Sequence, residues 1–289
     1  MSAIVKSEAS KRVTFTHIEK MMFPEAGVTK GDLLAYYAQI SPKLLPHLKD
    51  RPITVERLPD GLSKPNAPRF WQKNTPDYYP KWIPRVNIPT EQGKDVHYAL
   101  INEVDALLYF VNQGAITFHT FFSRVKSLEK PNFVLFDLDV GDAKFADAVK
   151  IAQTLHKLLD AQKAKSFPKT SGKRGLHVVV PWKRPGGYPA ARAWAVEMAV
   201  IVVKALPKIA TTKRSIAKRG ERVYVDVMQN DLGKHVVPPY IVRATPLATV
   251  STPLLWKDVT ARLSPQKFTM LEVLNRFNRI KDPMAALAP

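Results

Sequence analysis

Between Phe133 and Met228 the sequence alternates short apolar runs with longer amphipathic ones, and that order leaves few folds open. Phe133 to Asp139 reads as a strand. Asp142 to Gln162 reads as a helix, with Phe145, Val149, Ala152, Leu155 and Leu159 on one stripe. Lys165 to Pro168 reads as a short strand, Leu176 to Pro181 as another, Pro189 to Leu206 as a second helix and Arg222 to Met228 as a fourth strand. The order β-α-β-β-α-β is that of the ferredoxin-like, or RNA-recognition-motif, unit. In that unit the fourth strand lies beside the first, and the third lies on the first strand's other side.

The first strand carries two acids, Asp137 and Asp139, two residues apart and therefore on one face. Val134, Phe136 and Leu138 take the other face, where helices would cover them. Adjacent carboxylates at the end of a buried strand repel unless a cation sits between them, and a divalent metal with oxygen ligands is the usual solution. The fourth strand is apolar except for Asp226 in its middle. The β-α-β-β-α-β order puts Asp226 beside Asp137 and Asp139, with His177 of the third strand across from them. Before that third strand comes Thr170-Ser171-Gly172-Lys173-Arg174-Gly175. Two glycines, a hydroxyl and two cations suit a phosphate cradle, because they offer free N–H groups, little bulk and positive charge. The spacing is not that of a Walker A motif.

The first half reads as a mixed α/β module. Arg12 to Thr16 reads as a strand. Thr29 with Asp32 gives a capping-box pattern, opening a helix with Leu33, Tyr37 and Ile40 on one face. Ile53 to Leu58 reads as a strand ending at the turn Pro59-Asp60-Gly61. Arg85 to Pro89 and Val96 to Ile101 read as a hairpin around Gln92-Gly93. Glu103 to Asn112 reads as a helix, Ala115 to Phe121 as a strand, and the tail carries one more helix near Lys267 to Ile280.

Charge narrows the partner. The 289 residues hold 44 Lys and Arg against 25 Asp and Glu, a net charge of +19. Residues 161–222 hold 15 of those cations against only Glu197 and Glu221, so most of the excess is concentrated in about a fifth of the chain. A phosphate backbone rewards such a surface by counterion release. The absence of cysteine excludes disulfides, thiolate zinc sites and cysteine nucleophiles. No apolar run is long enough to span a membrane, and the first dozen residues lack the apolar core of a secretory signal. A cytoplasmic location, at the nucleoid, is therefore expected.

Phe-Asp-Leu-Asp at 136–139, Thr-Ser-Gly-Lys-Arg-Gly-Leu-His at 170–177 and Tyr-Val-Asp-Val-Met-Gln-Asn at 224–230 together resemble the polymerase domain of bacterial ligase D, of the archaeo-eukaryotic primase superfamily. The resemblance runs from about Arg12 to Trp256 and includes Lys20 to Pro24, Thr29-Lys30, Phe70-Trp71-Gln72-Lys73 and Tyr240 to Arg243. It implies an α+β primase-polymerase fold, with an RRM-like catalytic module over 126–289, C-terminal helix included, interlocked with an N-terminal module over 1–125. Asp137, Asp139 and Asp226 would hold two Mn²⁺ or Mg²⁺ ions. Ser171, Lys173, Arg174, His177, Lys234 and Arg243 would bind the incoming nucleotide triphosphate, and His119 would lie near its sugar. Lys20 and Lys30 would grip a DNA 5′-phosphate. Lys30 follows the N-cap residue, so its backbone N–H is expected among the unpaired donors of the helix's first turn. Phe70 and Trp71, with Lys73, would stack on and hold an unpaired template base.

The implied activity is template-dependent nucleotidyl transfer from NTP or dNTP onto gapped or broken double-stranded DNA, in end joining or in excision-repair gap filling, with ribonucleotides preferred. Ku and a separate DNA ligase are the candidate partners, and a monomer is expected. Three positions depart from the family pattern and bear on substrate preference: Val140 replaces Pro, Val227-Met228 replace Trp-Ser, and Thr120-Phe121 after His119 replace Val-Pro. No Lys-x-Asp-Gly motif occurs, so no ligase domain is expected in this chain. Two other readings compete. A haloacid-dehalogenase-type phosphatase would use Asp137-Leu138-Asp139-Val140 but lacks the later acidic metal motif. A non-catalytic nucleic-acid-binding module on a primase-like scaffold would be marked by a missing acid, and all three are present.

Overall fold

The computed structural model describes residues 10–63, 67–89 and 93–288. Along the chain come β1 (Met21–Phe23), β2 (Val28–Thr29), α1 (Lys30–Leu48), β3 (Pro52–Arg57), β4 (Phe70–Gln72), β5 (Arg85–Pro89), β6 (Asp95–Leu100), α2 (Val104–Asn112) and β7 (Ala115–Phe121). The second half continues with β8 (Phe133–Asp139), α3 (Phe145–Ala161), β9 (Phe167–Thr170), β10 (Leu176–Pro181), α4 (Gly187–Ala205), β11 (Ala210–Thr211), β12 (Val223–Asp226), β13 (His235–Val236) and α5 (Met270–Arg279).

The expected capping box forms. Thr29 Oγ1 accepts from the Asp32 N–H, and Asp32 accepts from the Thr29 N–H. The helix it opens passes through Pro42 and Pro46. Pro42 cannot donate to the Ala38 carbonyl, and the Ser41 hydroxyl does so instead at 2.8 Å. Arg12 to Thr16 does not form the expected strand. Its backbone is held by one side chain rather than a ladder: Asn112 donates to the Thr14 carbonyl and accepts from the Thr16 N–H. The β5–β6 hairpin is present, but Gln92 of its turn lies outside the described residues.

Two sheets carry the fold. The first has the order β13-β7-β3-β6-β5, with β4 added to β3. The second has the order β11-β12-β8-β10-β9, so the four core strands follow the fourth-first-third-second arrangement expected of the ferredoxin-like unit. Strand β8 runs antiparallel to both neighbours. Val134, Phe136 and Leu138 are buried with α3 and α4 on one face of this sheet, which leaves the other face to the acids. Residues from both ends of the chain share the first core: Tyr240, Ile241, Val242, Val250, Met270 and Val273 pack with the residues of α1, α2, β3 and β7. Leu135, Val179, Phe122 and Val236 form a small apolar cluster where β8 and β10 meet the end of β7 and β13.

Candidate active site

Three functional side chains stand in one row across three neighbouring strands. Asp226 of β12 is directly opposite Asp137 of β8, and His177 of β10 is opposite Asp137 on the other side. Asp139 lies one pleat further along β8, opposite Tyr224. Strand β12 stops at Asp226, so the upstream edge of β8 has no strand partner there. Asn230 takes that place: its side chain accepts from the Leu135 N–H and donates to the Leu135 and Val227 carbonyls, each at 2.8 Å.

Each acid is held differently. Asp137 Oδ1 lies 3.3 Å from His177 Nε2. Burial pushes the Asp137 carboxyl upward, but His177, with Lys169 and Arg243 behind it, outweighs that and holds it below the usual carboxylate range. Asp139 Oδ2 pairs with the Arg219 guanidinium at 2.8 Å, and Arg219 also lies over the Tyr224 ring. Asp226 accepts from the Met228 N–H at 2.8 Å, the Tyr224 hydroxyl at 3.3 Å and the Gln229 amide at 3.3 Å. Among the described residues no three His, Asp or Glu side chains are drawn together as a closed metal cage. Arg219 holds the Asp139 carboxylate, and the Tyr224 and Met228 donors hold Asp226. The donor set, three carboxylates on one face of the sheet, nevertheless has the all-oxygen chemistry that Mg²⁺ and Mn²⁺ favour.

The β9–β10 hairpin builds the cradle. Ser171 Oγ accepts from the N–H groups of Lys173 and Gly175 at 3.2 and 2.9 Å. Arg243, next to Val242 of the first core, donates to the Ser171 carbonyl at 2.6 Å. Gly172 has φ +74°, and a Cβ there would lie 2.5 Å from Arg243 Cγ and 2.7 Å from the Ser251 nitrogen, so this turn requires glycine. Burial lowers the Arg243 pKa to about 10, against the pull of Glu56 and Asp137, which leaves it cationic at neutral pH.

Asp137, Asp139, Asp226, Ser171, Lys173, Arg174, His177, His119 and Arg243 line one cleft of about 350 Å³. A larger groove of about 650 Å³ lies between α1 and α5, but its walls are mainly apolar; the chemistry is in the smaller cleft. His119 is held neutral by burial, then by Arg243 and His235, and its Nδ1 has no hydrogen-bond partner. The Trp71 ring lies 4.9 Å from the His119 ring. Phe70 and Trp71 are 50% and 55% exposed, so these aromatics offer faces to a ligand rather than filling the core. Lys73 is exposed nearby and acts electrostatically on His235. Lys234 is exposed and does not line the cleft; its neighbour His235 does.

Lys20 and Lys30 come together, close enough for Lys20 to depress the Lys30 pKa, second to burial. The expected free amide is absent. The Lys30 N–H donates to the Lys20 carbonyl at 2.8 Å and the Gly31 N–H to the Ile18 carbonyl at 2.7 Å, because β1 and the turn before it fold back over the helix start. Any anion grip here belongs to the two ammonium groups. Lys20 pairs with Asp60, and Lys30 donates to the Thr16 carbonyl at 2.7 Å.

Sequence reasoning missed Arg219, His235, Lys169 and Glu56. Glu56 is fully buried and pairs with Arg69, opposite Trp71 on β4. A carboxylate inside the strand reading Ile53 to Leu58 was the available signal. His235 similarly stands alone before the apolar run Val236-Val237-Pro238-Pro239.

A ferredoxin-like sheet bearing this row of acids, beside a basic hairpin cradle, defines a catalytic module of the primase-polymerase type. The sequence model for the LigD primase-polymerase domain matches residues 29–284. The bifunctional non-homologous end joining protein LigD of Bacillus subtilis is 33% identical over 270 residues, which cover 93% of this chain and 43% of that protein. The multifunctional non-homologous end joining protein LigD of Mycolicibacterium smegmatis is 28% identical over 97% of this chain and 36% of its own length. The solved polymerase domain of Mycobacterium tuberculosis ligase D, in complex with DNA, superposes with a TM-score of 0.89 at 29% identity, covering 97% of this chain and 100% of that one. The chain belongs to the LigD primase-polymerase domain family, whose members are metal-dependent nucleotidyltransferases. It spans less than half the length of these two curated relatives. The phosphatase reading falls with this result. Among the described residues no helix is long and apolar enough to cross a membrane.

Proposed function

We propose that this chain is a template-dependent polymerase that fills short gaps or extends broken DNA ends in end joining. The observation that carries the reading is the row Asp226–Asp137–His177, in register across three strands beside the Ser171–Gly175 cradle. Divalent ions held by Asp137, Asp139 and Asp226 would supply charge stabilisation for an in-line attack on the α-phosphate. Lys173, Arg174 and Arg243 offset the triphosphate charge, with Lys234 at the rim. The Ser171 hydroxyl, by taking up the Lys173 and Gly175 N–H groups, sets the shape of the turn that presents these cations, and His177 donates to a phosphate oxygen. His119 and Trp71 face the sugar and base. Phe70, Trp71 and Lys73 hold the template base, and Lys20 and Lys30 the downstream 5′-phosphate. Mn²⁺ is the expected metal and ribonucleotides the expected substrates. The partners are Ku and a DNA ligase, the protein acts as a monomer, and its place is the nucleoid.

Incorporation of one nucleotide into a labelled gapped duplex tests the reading. Extension by the wild type and none by Asp137→Ala supports it; no extension by the wild type with either sugar and either metal overturns it. Equal use of ribo- and deoxyribonucleotides would refute the sugar preference alone.

A further inference from the structure

One lysine that this reading does not use lies behind His177. Lys169 of β9 is 2% exposed, and its register partner on β10 is His177. Its Nζ lies 2.9 Å from His177 Nδ1 and 2.7 Å from Ser251 Oγ. Ser251 belongs to a segment that runs back along β9, where the Thr170 N–H donates to the Thr252 carbonyl and the Leu254 N–H to the Pro168 carbonyl.

Both ends of this chain of hydrogen bonds fix its direction. The Ser251 hydroxyl donates to the Thr170 carbonyl at 3.0 Å. A hydroxyl has one hydrogen, so toward Lys169 it can only accept. At the other end His177 Nε2 faces Asp137 Oδ1 at 3.3 Å. An ionised carboxylate only accepts, so the hydrogen belongs on Nε2. A neutral imidazole has one N–H, which leaves Nδ1 as the acceptor for Lys169. The Lys169 amino group 2.9 Å from Nδ1 directs a hydrogen at that nitrogen and leaves no place there for a second one. Burial and Arg243 press Lys169 toward the amine, but an amine still has two N–H groups, one for Ser251 and one for His177.

We propose that Lys169 is a positioning residue that locks His177 as the Nε2–H tautomer, so that the ring presents that N–H to the cleft. The consequence for substrate rests on the reading of His177 as a triphosphate contact: the N–H that faces Asp137 is the one offered to a phosphate oxygen. Without Lys169 the ring is free to move its hydrogen to Nδ1.

The test is a long-range ¹H–¹⁵N spectrum of the full chain, labelled at its seven histidines, without nucleotide or metal. His177 is assigned by the signal lost in His177→Gln. The wild type should show the Nε2–H tautomer. Lys169→Met should shift that signal toward a tautomer mixture. In Lys169→Met the dissociation constant for Mn²⁺-bound ATP should rise roughly tenfold, the equivalent of one hydrogen bond of ~1.4 kcal/mol. Lys169→Gln, whose amide can donate to the same nitrogen, should restore both; a purely packing role would not predict that rescue. An Nδ1–H wild type, or a Lys169→Met spectrum identical to wild type, overturns the proposal. A wild type with the Nε2–H signal that binds no triphosphate overturns the polymerase reading instead, because the spectrum is recorded without ligand.

Discussion

Replacing Asn230 with alanine would unhook the middle of the catalytic sheet while touching no group that meets substrate. Asn230 is 2% exposed and makes three hydrogen bonds of 2.8 Å, two of them to the backbone of Leu135 in β8. The alanine variant leaves the Leu135 N–H and carbonyl without this partner in a dry interior, while the Val227 carbonyl keeps the backbone N–H of residue 230 at 3.2 Å. Each buried group so stranded costs ~1–3 kcal/mol, and partial relaxation brings the expected total to roughly 2–4 kcal/mol. At ~2–4 °C per kcal/mol for a domain of this order of size, the melting temperature should fall by roughly 4–16 °C. Because Leu135 precedes Asp137 by two residues and Val227 follows Asp226, the same loss loosens the spacing of the two acids. Thermal melts followed by circular dichroism check the first effect, and single-nucleotide incorporation well below the melting point checks the second. Asn230→Asp keeps the acceptor for the Leu135 N–H but, ionised, loses both donors, so it should not rescue. A melting temperature within ~2 °C of wild type for Asn230→Ala would refute the reasoning.

Asp137→Ala and Asp226→Ala should each abolish extension while gapped-DNA affinity, measured by fluorescence anisotropy, changes little; extension surviving either substitution would sink the two-metal reading. Gapped DNA with a 5′-phosphate should bind more tightly than its 5′-hydroxyl counterpart by ~1.5 kcal/mol, the low end for a charged hydrogen bond, because Lys20 and Lys30 already have partners. Lys20→Ala with Lys30→Ala should erase that difference, and Asp60→Asn should enlarge it. Burial, aided by Lys73 and Lys234, lowers the His235 pKa to about 4 from an ordinary 6.5. Between those values the unfolded chain holds a proton that the folded one does not, so stability is full above about pH 6.5 and falls as pH falls toward 4. His235→Gln should flatten that slope by roughly 2 kcal/mol in urea titrations at pH 4.5 and 7; an unchanged slope would contradict it.

The catalytic sheet was the most legible part of the chain. Phe133–Asp139 and Leu176–Pro181 were read to the residue, because apolar runs bounded by turns allow no other register. The neighbourhood of Asp226, Asp137 and His177 followed from element order alone. Helix ends were shifted: the run from Asp142 to Gln162 contains a helix only over Phe145–Ala161, because a turn at residues 141–143 comes first. Strands β11 and β13, two residues each, carry no pattern of their own and exist only because a neighbour pairs with them. The free amide at Lys30 was misjudged for a related reason. A capping box shows where a helix starts, not that the preceding chain will fold back and take up its donors. Arg219 was hidden among 15 basic residues, and only the fold selects the one that meets Asp139.

The return of residues 237–273 to the core laid down by the first hundred has a consequence for anyone who would cut this protein. A fragment ending near residue 125 lacks the β-strand and apolar side chains that complete its own sheet. A fragment starting there carries Tyr240, Ile241, Val242 and Val250 with nothing to cover them. Neither piece should be soluble by itself, yet the two expressed together should reassemble, as the halves of a split reporter do. His119, which lies on the first fragment, meets the acids of the second in the cleft only through that reassembly. Nucleotide binding would then report whether the two fragments have found each other.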